Sequence, residues 1–179
     1  MIKQTKQYRT NMKTMKYFRI SFMTGCIALM ASCSDPVQSR MGEYGYNIAK
    51  SEVVIDDSVH IVLPAEQGAL LLEQKDGSSI ILTMTKFGGD TYTTTGELQD
   101  DKIVLKPFTR IISVTYKDTV TEVLLPVEKT FNEDYNLEVS GEADVYGESI
   151  HFTLQYSGKC ISNGKKMIGS NILMIAKKN

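Results

Sequence analysis

His60 and His151 are the only two imidazoles in the 179 residues, so any general-base, nucleophile-activating or metal chemistry that needs imidazole rests on them. Each falls in an alternating stretch, in phase with a polar neighbour: His60 with Ser58, and His151 with Thr153. That phasing puts both on the wet side of a strand. No G-x-S-x-G, H-E-x-x-H, P-loop or dinucleotide fingerprint accompanies them. Asn132, Glu133, Asp134 and Asn136 offer the hard oxygens that Ca²⁺ accepts. They lack the spaced Asp/Asn ladder and closing Glu of an EF-hand, and they read as a solvated loop. Asp56-Asp57 and Asp100-Asp101 read as turn residues. Among 21 acidic residues no pair singles itself out for sugar hydrolysis, a mechanism decided by separation in space. The chain has no Trp, which leaves Tyr44, Tyr46, Tyr92, Tyr116, Tyr135, Tyr146 and Tyr156 for stacking on a sugar, and alternation assigns Tyr156 to the core. The expectation is no catalytic residue, no metal site, no cofactor and no enzymatic activity.

The elements that would position these residues are strands. In SIHFTLQYS, Ile150, Phe152, Leu154 and Tyr156 alternate with His151, Thr153 and Gln155. In NLEVSGEADV, Leu137, Val139, Gly141, Ala143 and Val145 alternate with Glu138, Ser140, Glu142 and Asp144. SIILTMTK, TYTTTGELQ, FTRIISVTY and MIGSNILMIA repeat the pattern, which is the signature of half-buried strands rich in β-branched residues. Turn residues separate the runs at Asp76-Gly77, Gly88-Gly89-Asp90, Asp100-Asp101, Lys117-Asp118, Gly147-Glu148 and Asn163-Gly164. EKTFNEDYN is the least regular piece and reads as a loop or short helical turn. About nine strands at this spacing, with no convincing helical stripe, predict an all-β, antiparallel, single-domain barrel, with a sandwich as the alternative. Closing the sheet removes its edges, and a barrel of about eight strands fills its interior or holds one small ligand. GELQDDKIVL (96–105) and GEADVYGESIHF (141–152) echo each other as hairpins but are too short to be a repeat.

Charge divides the chain. Residues 1–32 carry Lys3, Lys6, Arg9, Lys13, Lys16 and Arg19 and no acid, which leaves 14 basic and 21 acidic residues, a net of −7, for the remainder. An acidic body argues against nucleic acid as a partner. Ile20 to Ser32 is too short to span a bilayer, which takes about 20 apolar residues, and a basic start, short apolar run and small residues describe an export signal. At its end stands CIALMASCSDPVQSR (26–40). Met30-Ala31-Ser32-Cys33, after Leu29, resembles the lipobox of bacterial lipoproteins, with Met30 departing from the usual Leu. The resemblance implies that Cys33 is diacylated, cleaved on its N-terminal side and acylated again. Acyl burial contributes about 0.8 kcal/mol per methylene, so two or three chains anchor firmly.

This gives a signal peptide at 1–32, a flexible tether at 33–46 and a barrel at 47–179. Ser34-Asp35 resembles the acidic signals that send lipoproteins to the outer face of the outer membrane. Cys26 leaves with the signal and Cys33 is acylated, so Cys160 has no disulfide partner and reads as a bystander in a loop.

VSGEADVYGESIHFTLQYSGK, with TYTTTGELQDDKIVL, resembles the calycin-like β-barrel lipoproteins of diderm bacteria, as a hairpin pattern over most of 43–179. That resemblance implies a fold and an envelope location, and by analogy with lipocalins an apolar small-molecule ligand. The expected protein is held to the outer-membrane bilayer through Cys33, on its periplasmic face or at the cell surface. Its barrel is non-enzymatic and binds a small apolar ligand. The alternatives are an interaction or adhesion module for an envelope protein, then an envelope hydrolase.

Overall fold

Period-two patterning becomes ten strands. The structure, a computed structural model, describes residues 37–179 except Val123 and Leu124. After a 3-10 turn at Gln38–Arg40 come β1 (Gly42–Ile48), β2 (Ser51–Ile55), β3 (Val59–Leu63), β4 (Glu66–Asp76), β5 (Ser79–Lys86), β6 (Thr91–Gln99), β7 (Lys102–Glu122), β8 (Leu125–Tyr146), β9 (Ser149–Cys160) and β10 (Lys166–Lys178). Each follows the expected alternation; β9, for example, buries Ile150, Phe152, Leu154 and Tyr156 and exposes His151 and Gln155.

Eight strands, β1 and β4 to β10, pair antiparallel in sequence order, and β1 returns to β10 to close the ring. The domain is therefore an all-β, closed antiparallel barrel of eight strands among the described residues. β2 continues along β10 past the end of β1, and β3 folds back on β2. The kinks at Ala49-Lys50 and Pro64-Ala65 thus turn two strands into a barrel part and an outer hairpin. β10 gains a residue against β9 at Ser170-Asn171, where Asn171 takes φ 56°, the left-handed bulge geometry that Asn tolerates.

The two ends differ. At one end short turns join β4–β5, β6–β7 and β8–β9, and the chain enters there: Arg40 pairs with Asp101 of the β6–β7 turn, and Tyr44 Oη donates to the Arg40 carbonyl at 2.7 Å. Tyr44, Leu70, Leu72, Ile80, Leu82, Ile103, Ile150 and Phe152 fill the interior there, all almost without exposure. Each such side chain contributes roughly 1.5–3 kcal/mol on burial. Tyr46 crosses Gly68, where an added Cβ would stand 2.2 Å from the Thr85 carbonyl oxygen and 2.6 Å from the Tyr46 ring. Only glycine allows that approach.

Four expectations need correction. EKTFNEDYN is not a loop but part of β8, and Lys117-Asp118 is not a turn but mid-β7. The hairpin closes instead between Glu122 and Leu125, because pairing with the facing strand satisfies the polar residues' backbone. The tether does not run to 46: residues 42–46 are barrel wall, with Tyr44 and Tyr46 in the core. The strands number ten, since kinks split two of them. Cys33, Ser34 and Asp35 lie outside the described residues.

Candidate functional site

The barrel wall opens at one seam. β6 and β7 pair from Gln99↔Lys102 to Gly96↔Leu105 and no further. Beyond that, β7 carries a bulge at Lys106-Pro107, gaining a residue against β8. Proline has no N–H to give β6, so the ladder stops where the proline arrives. The buried Thr94 hydroxyl donates to the Lys106 carbonyl at 2.9 Å, a side-chain substitute for the lost ladder bond. The result is a window bounded by the β3–β4 kink, the β5–β6 loop and β7 beyond Arg110. It encloses a cavity of about 260 Å³, lined by Ile48, Leu63, Pro64, Ile112 and Ile172 on the apolar side and by Glu66, Lys86, Asp90, Tyr92, Arg110 and Tyr156 on the polar side. That is slightly below the 300–1,000 Å³ typical of small-molecule pockets.

Alternation places Arg110 inward, in phase with Ile112 and Val114, and β4 begins with Glu66 opposite it. Arg110 Nη2 and Nη1 donate to Glu66 Oε2 and Oε1 at 2.7 and 3.4 Å, and Tyr46 Oη donates to Oε1 at 3.0 Å. Lys86 Nζ stands 3.7 Å from Oε2, and the guanidinium lies 4.8 Å from the Tyr92 ring centroid in a cation–π contact. Arg110 is only 9% exposed, yet its Nε–H has no acceptor. Burial opposes the charge on both partners, but their hydrogen bond and attraction outweigh it. The Glu66 carboxyl is therefore held below the usual range and Arg110 is lifted above it. Burial pushes Tyr156 up, with the Arg110 charge pulling back.

A second polar knot lies at the foot of a ribbon. Residues 111–122 of β7 and 125–133 of β8 pair in the sheet only with each other. One face carries Ile112, Val114, Tyr116 and Val120 opposite Tyr135, Glu133, Phe131 and Val127. At the foot, Tyr116 and Tyr135 hydroxyls donate to Glu133 Oε2 at 2.8 and 2.7 Å, and Asn163 Nδ2 donates to Oε1 at 2.6 Å. Lys165 Nζ donates to Tyr116 Oη at 2.9 Å, stands 3.5 Å from Glu133 Oε1 and lies 4.5 Å over Phe131. Burial works to raise Glu133, but these hydrogen bonds win and lower it, while burial and the carboxylate raise both tyrosines. Further out, Leu125 is 68% exposed and Val127 is exposed as well.

The residues singled out for chemistry scatter. His60 is exposed and pairs with Glu52 at 2.5 Å, and His151 is exposed with its ring edge-on to Tyr146 at 5.0 Å. Asp56, Asp57 and Asp100 take positive φ in turns. The acidic cluster is split by the pleat: Glu133 points in, while Asn132, Asp134 and Asn136 point out. Among the described residues no group of three His, Cys, Asp or Glu side chains is placed to hold a metal. Cys160 is not in a loop; it ends β9, buried, with Sγ 3.2 Å from Ser162 Oγ. Of the tyrosines, Tyr44, Tyr46, Tyr116, Tyr135 and Tyr156 are buried, which removes them as stacking surfaces. Sequence reasoning missed Glu66, Arg110 and Lys165, and it placed Glu133 in a solvated loop where the structure turns it inward. Arg110 and Glu133 had a visible signal: each is a charge standing in the apolar phase of its strand.

No known family matches the chain, and no curated protein matches it. Among solved structures it is similar to a redesigned β-barrel (10% identity, covering 83% of this chain and 98% of that one, TM-score 0.34). It is also similar to a second redesigned β-barrel, bound to DFHBI (12% identity, 81% and 100% coverage, TM-score 0.36). The barrel described here rests on its own strand pairing.

Proposed function

We propose that the chain is a lipid-anchored protein of the bacterial envelope whose barrel binds a small molecule at the lateral window, without catalysing its conversion. The observation that carries the binding is the cavity of about 260 Å³ where the β6–β7 ladder ends. Half of its named lining is polar, so a purely apolar ligand fits it less well than an amphiphile whose polar end meets Arg110, Tyr92 and Lys86. The resemblance of Met30-Ala31-Ser32-Cys33 to a lipobox supports the anchor. The tether would join the barrel at the end where Arg40 meets Asp101, remote from the window.

Native mass spectrometry of the protein purified from bacterial membranes tests the binding. A stoichiometric small molecule, lost when Ile112→Trp fills the window, is expected. A bare protein that also takes up nothing from an envelope extract would overturn it.

A second reading, a docking module, is favoured by the ribbon. An isolated two-stranded hairpin is marginal in water, and its exposed Leu125 and Val127 give it an apolar outer part. Deleting residues 118–129 should leave small-molecule uptake intact and abolish any envelope-protein partner seen by cross-linking.

A further inference from the structure

On the ribbon side the window lies between two strand edges that face each other unpaired. Hydrogen bonds at the ladder ends fix which backbone groups are already spent. Ile161 N–H donates to the Asp134 carbonyl at 2.8 Å, so even-numbered residues of β8 bond to β9 and odd ones to β7. That spends the even residues of β7 on β8 and leaves the N–H and C=O of Ile111 and Ser113 on its other edge. Asp56 N–H donates to the Lys166 carbonyl at 3.0 Å, which by the same count leaves His60 and Val62 on the outer edge of β3. Traced through β8, β9, β10 and β2, the two edges run antiparallel. All four residues lie on the exposed face, so direct pairing would keep both pleats in phase. Leu63 stands on one wall of the cavity and Ile111 and Ser113 on the other. The strands approach to within 8 Å between Cα atoms, against roughly 5 Å for paired strands and roughly 10 Å for two strands with a third between them.

Resting on the window reading, we propose that β3 is a gate. Its outer edge zips onto β7 through the backbone groups of His60, Val62, Ile111 and Ser113, which closes the cavity on the ribbon side, and it unzips to admit the ligand. The means of movement are built in. The β2–β3 hairpin hangs between the kinks at Ala49-Lys50 and Pro64-Ala65, and its register with β10 covers only Val54 and Ile55.

Amide hydrogen exchange of the ¹⁵N-labelled full chain reads this pairing without any ligand. After correction for intrinsic rates, Ile111 and Ser113 N–H are expected to exchange at least tenfold slower than Thr93 N–H, which faces the open edge of β6. Val62→Pro removes a donor from the outer edge of β3 and none from the β2–β3 ladder, so the fold should stand while that protection falls at least tenfold. If Val62→Pro does not fold, Val62→Cys with Ile111→Cys decides. Antiparallel pairing brings opposite Cα atoms to about 5.5 Å, which suits a disulfide, and one is expected to form under mild oxidation. A folded double variant that forms none overturns the gate. So does an unprotected Ile111 and Ser113 in the wild type, or protection that survives Val62→Pro. Protection that rises with protein concentration assigns the edge to a second copy and overturns the gate as well. All these failures leave the window as a binding site. Protection present in a protein that takes up no small molecule by native mass spectrometry overturns the window reading, and the gating role with it, although the strands pair.

Discussion

Glu66 and Glu133 are built from the same parts and serve different ends. Both carboxylates turn inward, both take tyrosine hydroxyls, and both face a cation. At Glu133 every buried partner is used: two tyrosines, Asn163 and Lys165 close on it, and the ribbon's foot is stapled to the β9–β10 loop. At Glu66 the cation is a guanidinium whose Nε–H has no acceptor, and a cavity bordered by the β5–β6 loop lies beside the pair. A saturated knot fixes structure. On the proposed reading, a charged pair beside a cavity is where a ligand finds polar partners.

Removing the carboxylates should separate the two. Glu66→Ala leaves a buried guanidinium without its counterion and should destabilise the fold by about 3 kcal/mol, read by denaturant unfolding. A ligand should raise the unfolding midpoint of the wild type and not that of Glu66→Ala. Glu133→Ala strands two hydroxyls but leaves Lys165 partly in water, so about 2 kcal/mol is expected, with window binding unchanged. If Glu133→Ala abolished binding while Glu66→Ala spared it, the roles assigned to the two knots would be reversed.

Acid sharpens the comparison. Both glutamates have folded pKa values below the ordinary 4.5, so the folded state binds fewer protons than the unfolded chain between those values. Their stabilisation is present above about pH 4.5 and is lost as pH falls through the lowered values. Unfolding midpoints measured from pH 7 to 3 should drop most steeply below 4.5 in the wild type and less steeply in Glu66→Gln and Glu133→Gln. Equal slopes in all three would contradict the lowered carboxylates. The smallest effect belongs to Lys165→Met, which keeps the stem over Phe131 and loses the ammonium. About 1 kcal/mol or less is expected, since that amine is partly solvated.

Much of the barrel was legible because a half-buried strand must alternate, and turns such as Asp76-Gly77, Asp100-Asp101 and Gly147-Glu148 fall where residues tolerant of left-handed backbone stand. The ribbon was not legible. Lys117-Asp118 and EKTFNEDYN are polar enough for loops, and only their mutual pairing makes them strands. The site was the least legible part. Glu66 and Arg110 are 44 residues apart and meet through ring closure, a long-range event no local pattern announces. Pro107, which breaks the ladder and opens the window, was readable as a strand breaker, but what lay across the break was not.

The most direct test is a crystal structure of the full chain purified from bacterial membranes. The account predicts an ordered small molecule in the window, lying against Arg110, Tyr92 and Ile112. A window closed by the chain's own Tyr92 and Lys86, with no bound molecule, would contradict it.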